Sequence, residues 1–275
     1  MPKTIVITGA SDGIGAAGAR RLSADGHTVV VVGRSAQKTA AVARKLGSDH
    51  HVADFTNFAE VRRLAKELDA RYPKIDVLVN NAGGVFGDRG KTADGYEKTL
   101  QVNHLAPFLL TNLLLDNLIG ARASVIQTSS SGARLFGELD LDDLENERDF
   151  AAHRAYGDAK LANILFTKEL HTRYHGRGVS SAAFHPGAIA TGFASDTTSF
   201  MRFVYGNAVG RLFLSSADKG ARQLVWLAEG RPGGDWESGV YYEKRRAARR
   251  TNPQTADAEL ARGLWDRTAT MVGLA

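Results

Sequence analysis

Short apolar runs rich in β-branched residues alternate along this chain with longer stretches in which apolar residues recur at helical spacing. The runs fall at residues 4–8, 28–32, 51–53, 77–79, 124–128, 179–184 and 239–242. They lack the polar alternation of a half-exposed strand, and VVVV at residues 29–32 is the plainest case. Strands apolar on both faces belong in a parallel sheet covered by helices on both sides. The intervening stretches 14–25, 36–46, 58–71, 95–118, 154–174 and 217–229 supply those helices. Strand and helix in alternation predict βαβ units, hence an α/β, doubly wound fold with a seven-stranded parallel sheet and helices on both faces. No internal repeat, proline-rich linker or low-complexity segment divides the sequence. Residues 1–275 therefore read as a single domain, with an insertion at about 190–215 placed to cover a substrate.

Composition changes this picture little. With 43% apolar residues among 275, the chain can build a large core and does not read as disordered. Its 35 Lys and Arg exceed its 30 Asp and Glu, and the whole excess lies in one run, KRRAARR, at residues 244–250. Such a run after the last strand reads as a solvated segment, with a patch for nucleic acid or an anionic surface as the alternative. The absence of cysteine removes disulfides, thiolate nucleophiles and cysteine-ligated metals, and no metal site is expected. The N-terminus enters its first strand by Ile5 with no signal-peptide pattern. The longest apolar stretch, residues 108–119, is interrupted by Thr111, Asn112, Asp116 and Asn117 and is shorter than the ~20 residues of a membrane span. A soluble cytoplasmic protein with no integral membrane segment and no nucleic-acid partner is expected.

Candidate chemistry begins where the first strand ends, in TGASDGIG, with Gly9, Gly13 and Gly15 opening a helix. Glycines there permit the tight turn and let a pyrophosphate approach the N–H groups and positive dipole end of the helix. The second strand ends in Gly33-Arg34, and no acid follows until Asp49. An acid there would accept from the ribose 2′-hydroxyl of NAD, whereas a guanidinium suits a 2′-phosphate. Arg34 thus favours NADP(H), with NAD(H) as the alternative. Lys38 lies one turn further on as a possible second cation, while Asp12 inside the glycine turn weakens the preference.

Tyr156 and Lys160 stand four residues apart in YGDAK at the start of a helical stretch, so their side chains share a face. A neighbouring ammonium favours the phenolate, which moves a tyrosine from its ordinary pKa of ~10 toward acid/base use. Asn163 and Thr167 continue the polar face. The fourth strand runs into Asn80-Asn81-Ala82-Gly83 and the fifth into Thr128-Ser129-Ser130-Ser131. Ligands of open parallel sheets bind at strand carboxyl ends, so these endings face the same crevice as the glycine turn. One of the serine hydroxyls can orient a carbonyl oxygen.

Together TGxxxGxG, NNAG, the serine-ending strand, YxxxK and His185-Pro186-Gly187 resemble the short-chain dehydrogenase/reductase superfamily across nearly the whole chain. Residues 91–115, 156–170 and 261–266 are similar to its retinol dehydrogenase and protochlorophyllide reductase branch. The 25 residues between Ser130 and Tyr156, longer than in compact members, fit that branch; the N-terminal membrane anchor of some retinol dehydrogenases is not expected here. The resemblance implies a Rossmann fold and assigns Tyr156 as acid/base and Lys160 as anchor of the nicotinamide ribose. Ser130 becomes the carbonyl-orienting serine, with Ser129 and Ser131 as alternatives, and Asn103 the helix asparagine that holds a relay water. Gly9, Ser11, Gly13, Ile14 and Gly15 would line the dinucleotide with Arg34, Asp54, Asn81, Ala82 and Gly83. Tyr156, Lys160, Pro186, Gly187 and Thr191 complete that set, Asp54 at the adenine and Thr191 near the carboxamide.

The expected reaction interconverts a carbonyl and an alcohol by hydride transfer. Phe193, Phe200, Met201, Phe203, Val204 and Tyr205, with Leu135 and Phe136, suggest a small hydrophobic substrate. Reduction of a carbon–carbon double bond and a noncatalytic NADP(H)-responsive interaction protein are the competing readings. By the same resemblance a homodimer or homotetramer is expected.

Overall fold

The computed structural model describes residues 1–187 and 216–274. The sheet is built from β1 (Thr4–Ile7), β2 (Thr28–Gly33), β3 (His50–Val52), β4 (Val77–Asn80), β5 (Ser124–Thr128), β6 (Ser180–His185), β7 (Val240–Glu243) and β8 (Arg246–Ala247), in the order β3-β2-β1-β4-β5-β6-β7-β8. The first seven strands run parallel, and β8 is antiparallel to β7. Burial on both faces explains the unbroken apolar runs. Val6 of β1 packs into one core and its neighbours Ile5 and Ile7 into the other, all three fully buried.

One face is covered by α1 (Gly13–Ala24) and α9 (Ala217–Glu229), whose Leu22, Leu224 and Leu227 join the Ile5 core. The other face carries α3 (Phe58–Arg71), α5 (Ala106–Leu113), the short α7 (Gly132–Leu135), α8 (Ala152–Tyr174) and α10 (Ala258–Met271). Between β2 and β3, α2 (Ala36–Leu46) is capped at its start by Ser35 and ends on Gly47 in the left-handed region, where glycine carries no Cβ penalty. No described helix is long and apolar enough to cross a membrane.

Three expectations need correction. The sheet has eight strands, because the basic run does not simply trail into solvent. Lys244 and Arg245 both adopt positive φ, 51° and 60°, and form a two-residue turn that sends Arg246–Ala247 back beside β7. The usual Asn-Gly signature of such a turn is missing from the sequence, which hid the hairpin.

The single helix expected over residues 95–118 is instead α4 (Lys98–Leu100), a π-helical turn at Gln101–Leu105, α5, and α6 (Leu115–Ala121). Pro107 has no N–H to give to the carbonyl of Asn103 four residues back, and the helix widens there.

The third correction is α10, which the apolar pattern did not single out as a helix. Its Trp265 packs edge-on against Phe108 of α5 at 4.8 Å between ring centroids, beside Phe166 of α8 at 5.5 Å. The expected insertion at 190–215, with its aromatic residues and Thr191, lies outside the described residues.

α10 also closes a buried polar chain. His104 meets Thr268 Oγ1 through Nε2 at 3.0 Å and Asn163 Oδ1 through Nδ1 at 3.4 Å. Burial holds the His104 pKa down at about 4, against an ordinary 6.5. The native state refuses a proton that the unfolded chain accepts, so stability falls as pH drops from 6.5 to 4, by up to roughly 3 kcal/mol. Thermal melts across that window should show a flatter acid limb in His104→Gln than in the wild type. Parallel limbs would contradict this.

Candidate functional site

The order of the sheet reverses between β1 and β4, which leaves a crevice at the carboxyl ends of the strands. A cleft of about 390 Å³ occupies it, running from Gly9 and Arg34 to Ser130, Tyr156 and Lys160. Its floor is the turn after β1. Gly9 and Gly13 have φ of +65° and +56°, a conformation that strains any residue with a side chain. A Cβ on Gly9 would also stand 2.8 Å from Ala82 Cα. The turn after β4 is therefore pressed against the turn after β1, and polar bonds fix the contact. Asn81 Nδ2 donates to the Thr8 and Gly9 carbonyls at 3.0 and 3.3 Å, while the N–H groups of Asn81 and Ala82 both donate to Thr8 Oγ1 at 3.0 Å. Thr8 is a tie that the sequence reading did not identify, since a threonine ending a strand carries no local signal.

Gly15 does not line this cleft. A Cβ there would collide with the Gly9 carbonyl and stand 2.7 Å from Asn81 Nδ2, so its lack of a side chain serves helix packing. At the other end of the glycine turn, Asp12 caps α1 by accepting from Gly13 N–H at 2.7 Å, and its carboxylate lies 3.7 Å from Lys38 Nζ. Arg34, exposed just past β2, lines the cleft and makes no ion pair among the described residues. Asp54 also lines it, with Oδ1 accepting from both the N–H and the hydroxyl of Thr56 at 2.9 Å. Ser11, Ile14, Asn81, Ala82, Gly83, Pro186 and Gly187 stand along the same wall.

The other end of the cleft is organised by α8. Lys160 is 2% exposed; its Nζ donates to the Thr128 carbonyl at 3.1 Å and lies 5.6 Å from the Tyr156 ring centroid. Burial pulls its pKa down to about 7. The sequence reading assumed a standing positive charge beside Tyr156. In the folded chain that charge depends on further acceptors reaching the ammonium.

The three serines separate by geometry. Ser129 is buried and donates to the Lys160 carbonyl at 2.7 Å, tying β5 to α8. Ser131, whose main-chain N–H donates to His185 Nδ1 at 3.3 Å, does not line the cleft. Ser130 lines the cleft, and its Oγ accepts from Gly132 N–H at 3.1 Å. A Cβ on Gly132 would lie 3.2 Å from Tyr156 Cε1 and 3.5 Å from Ser130 Oγ, so the serine hydroxyl and the tyrosine ring flank one glycine.

Asn103 lies one layer behind the cleft, fully buried in the π-helical turn. Its Nδ2 donates to the carbonyls of Gly84 and Thr99, both at 2.9 Å, and its Oδ1 accepts from Gly84 N–H at 3.2 Å. The side chain is thus occupied at both its nitrogen and its oxygen, and Pro107, four residues on, has no N–H to give to the Asn103 main-chain carbonyl. A Cβ on Gly83 would meet Asn103 Oδ1 and stand 3.1 Å from Lys160 Nζ, so the NNAG turn is wedged between them. His185, Phe55, Val85 and Phe86 also line the cleft without having been singled out for it; only the crossing of strands brings them there.

The chain is similar to known proteins in both sequence and fold. A family model described as short chain dehydrogenase matches residues 3–201. A Streptomyces sp. (strain C5) protein named as a candidate daunorubicin C-13 ketoreductase, DnrU, is 42% identical over 278 residues, covering 98% of this chain and 93% of that protein. Retinol dehydrogenase 13 of Homo sapiens is 35% identical over 285 residues, covering 99% of this chain and 85% of its own. Among solved structures, an uncharacterized protein from Mycobacterium paratuberculosis superposes with a TM-score of 0.79 at 31% identity, over 99% of this chain and 96% of that one.

Proposed function

This chain belongs to the short chain dehydrogenase family, in its retinol dehydrogenase-like branch, and we propose that it is an NADP(H)-dependent enzyme in which Tyr156 is the acid/base for a hydrophobic carbonyl or alcohol substrate. Membership makes it an oxidoreductase acting on carbonyl and alcohol groups with NAD(P)(H). The observation that carries the finer reading is the convergence of Ser130, Tyr156 and Lys160 on the cleft that begins at the glycine turn.

The residues present fit a dinucleotide. Gly9 and Gly13 hold the turn open by backbone conformation, and Arg34 has no ion pair among the described residues to compete for its guanidinium. Lys160 has two ammonium hydrogens beyond the one given to Thr128, suited to ribose hydroxyls. The bound cofactor supplies or takes the hydride. Ser130 holds the substrate oxygen, Tyr156 gives that oxygen its proton in reduction and removes it in oxidation, and Lys160 stabilises the phenolate once it is charged. The Asn103 carbonyl is the point from which a water can return the proton through Lys160. A cytoplasmic homodimer or homotetramer belongs to the same reading.

The test is a screen of NADPH oxidation over hydrophobic aldehydes, ketones, quinones and activated double bonds. Turnover of carbonyl compounds is expected, with kcat/KM in Ser130→Ala lower by about 10–100-fold. Inactivity on every class despite tight NADPH binding would favour a noncatalytic role.

A further inference from the structure

The segment that joins Ser130 to α8, residues 131–151, is 21 residues long, and it is held rather than loose. Its first part is pressed onto the backbone beside Tyr156. A Cβ on Gly157 would stand 2.7 Å from the Phe136 carbonyl carbon and 2.8 Å from Phe136 Cβ. The next residue, Asp158, is 3% exposed and sits between Tyr156 and Lys160 in sequence. It points the other way from the cleft, accepting from Glu138 N–H at 2.6 Å and from Asn146 Nδ2 at 3.0 Å, with Arg154 Nε at 3.9 Å. From the far side Asn252 Nδ2 donates to the carbonyls of Ala133 and Gly137, at 2.9 and 2.7 Å. Gln254 exchanges two bonds with the main chain of Leu139 at 2.9 and 2.8 Å.

What this clamp presents is unusual for the chain. Leu135 and Phe136 are 55% and 47% exposed, and the other exposed large apolar side chains among the described residues are Met1 and Leu274 near the termini. Single exposed apolar residues are ordinary, but here Phe136, edge-on to His153 at 5.3 Å between ring centroids, and the adjacent Leu135 form one apolar surface on a segment fixed by buried hydrogen bonds. They follow Gly132, which touches Tyr156 and Ser130, by three and four residues.

We propose that Asp158 is a positioning residue that holds Leu135 and Phe136 as a fixed apolar rim beside Tyr156, and that this rim receives the apolar flank of the substrate. The enzyme then selects aryl and long-chain alkyl carbonyl compounds over short ones. This rests on the assignment of carbonyl chemistry to Tyr156.

A series of methyl ketones from butanone to nonanone tests it, with kcat and KM measured separately and the Kd of NADP+ measured by titration. In Phe136→Ser and in Asp158→Ala the ratio of KM for nonanone to KM for butanone should rise about tenfold. The Kd of NADP+ should hold. Asp158→Asn should recover most of the selectivity, since one amide oxygen still accepts from Glu138 N–H and Asn146 can turn its own amide to accept from the new one. Should Asp158→Ala not fold, Asn146→Gly removes one of the two bonds while suiting the positive φ of 52° at that position, and it should move the ratio in the same direction. A ratio unchanged in the Phe136 and Asp158 variants, or KM rising equally for short and long ketones, overturns the proposal. If the wild type reduces no ketone, calorimetry of nonanone binding to the NADP+-loaded protein still decides. Binding about tenfold weaker in Phe136→Ser supports the rim, and equal binding overturns it.

Discussion

Replacing Tyr156 with phenylalanine is expected to lower kcat/KM for carbonyl reduction by on the order of 10³–10⁴-fold, the upper part of the range for a lost general acid. The substitution keeps the ring, which matters because a Cβ on Gly132 would lie only 3.2 Å from Tyr156 Cε1 and the Lys160 ammonium lies 5.6 Å from the ring centroid. Packing and fold should therefore survive, and the phenolic hydroxyl with its proton is lost. Neighbouring groups are poorly placed to substitute for it. Ser129 is bonded to the Lys160 carbonyl, Lys160 to the Thr128 carbonyl, and an aliphatic hydroxyl at Ser130 is a weak acid. Affinity for NADPH should be unchanged by fluorescence titration, since the contacts expected for the phosphates lie at the opposite end of the cleft. Full turnover in Tyr156→Phe would remove the acid/base assignment and leave the family placement standing.

The second large effect concerns cofactor choice. Arg34→Asp should change the ratio of kcat/KM for NADPH over NADH by about 10³, from the loss of a charge-assisted contact worth roughly 1.5–3 kcal/mol and the new repulsion of a carboxylate from a 2′-phosphate. An acid there also accepts from the ribose 2′-hydroxyl of NADH, which supplies the rest of the swing. The position is favourable for this test because Arg34 is exposed and lines the cleft with no ion pair among the described residues, so its removal leaves no buried partner. Lys38 is the nearest competitor for the role, but its ammonium lies 3.7 Å from the Asp12 carboxylate and is partly neutralised. Because the site is exposed, the wild-type preference should also weaken with added salt. An unchanged ratio in Arg34→Asp would refute the 2′-phosphate reading.

Both predictions rest on residues that were legible in the sequence, for a physical reason that differs between them. Arg34 is marked by its place at the end of a strand in a fold whose strand ends bind ligands. Tyr156 and Lys160 are marked by helical spacing. Where the register was ambiguous, spacing had nothing to offer. Ser129, Ser130 and Ser131 are chemically identical, and what separates them is that Ser129 donates to Lys160 while Ser130 faces the ring of Tyr156 across Gly132. The resemblance marks Asn103 by its place in QVNH, but what its side chain touches is not legible in the sequence. Gly84 and Thr99 occupy its side chain, and the proline four residues downstream has no N–H to give to its carbonyl. The clamp around Asp158 was invisible because its partners are 12 and 20 residues away and one of them is a main-chain N–H.

Local pattern determined the class of fold, the order of the elements and the ends at which chemistry gathers. Burial on both faces, helical spacing and glycine at positions needing positive φ are written into short windows of sequence. Tertiary structure decided everything that depends on two segments meeting. It turned the basic run into the hairpin of β7 and β8, pressed the NNAG turn against Gly9, and left one serine of three facing Tyr156. It also lowered the Lys160 pKa to about 7, because burial is a property of the assembled core and no residue carries it alone.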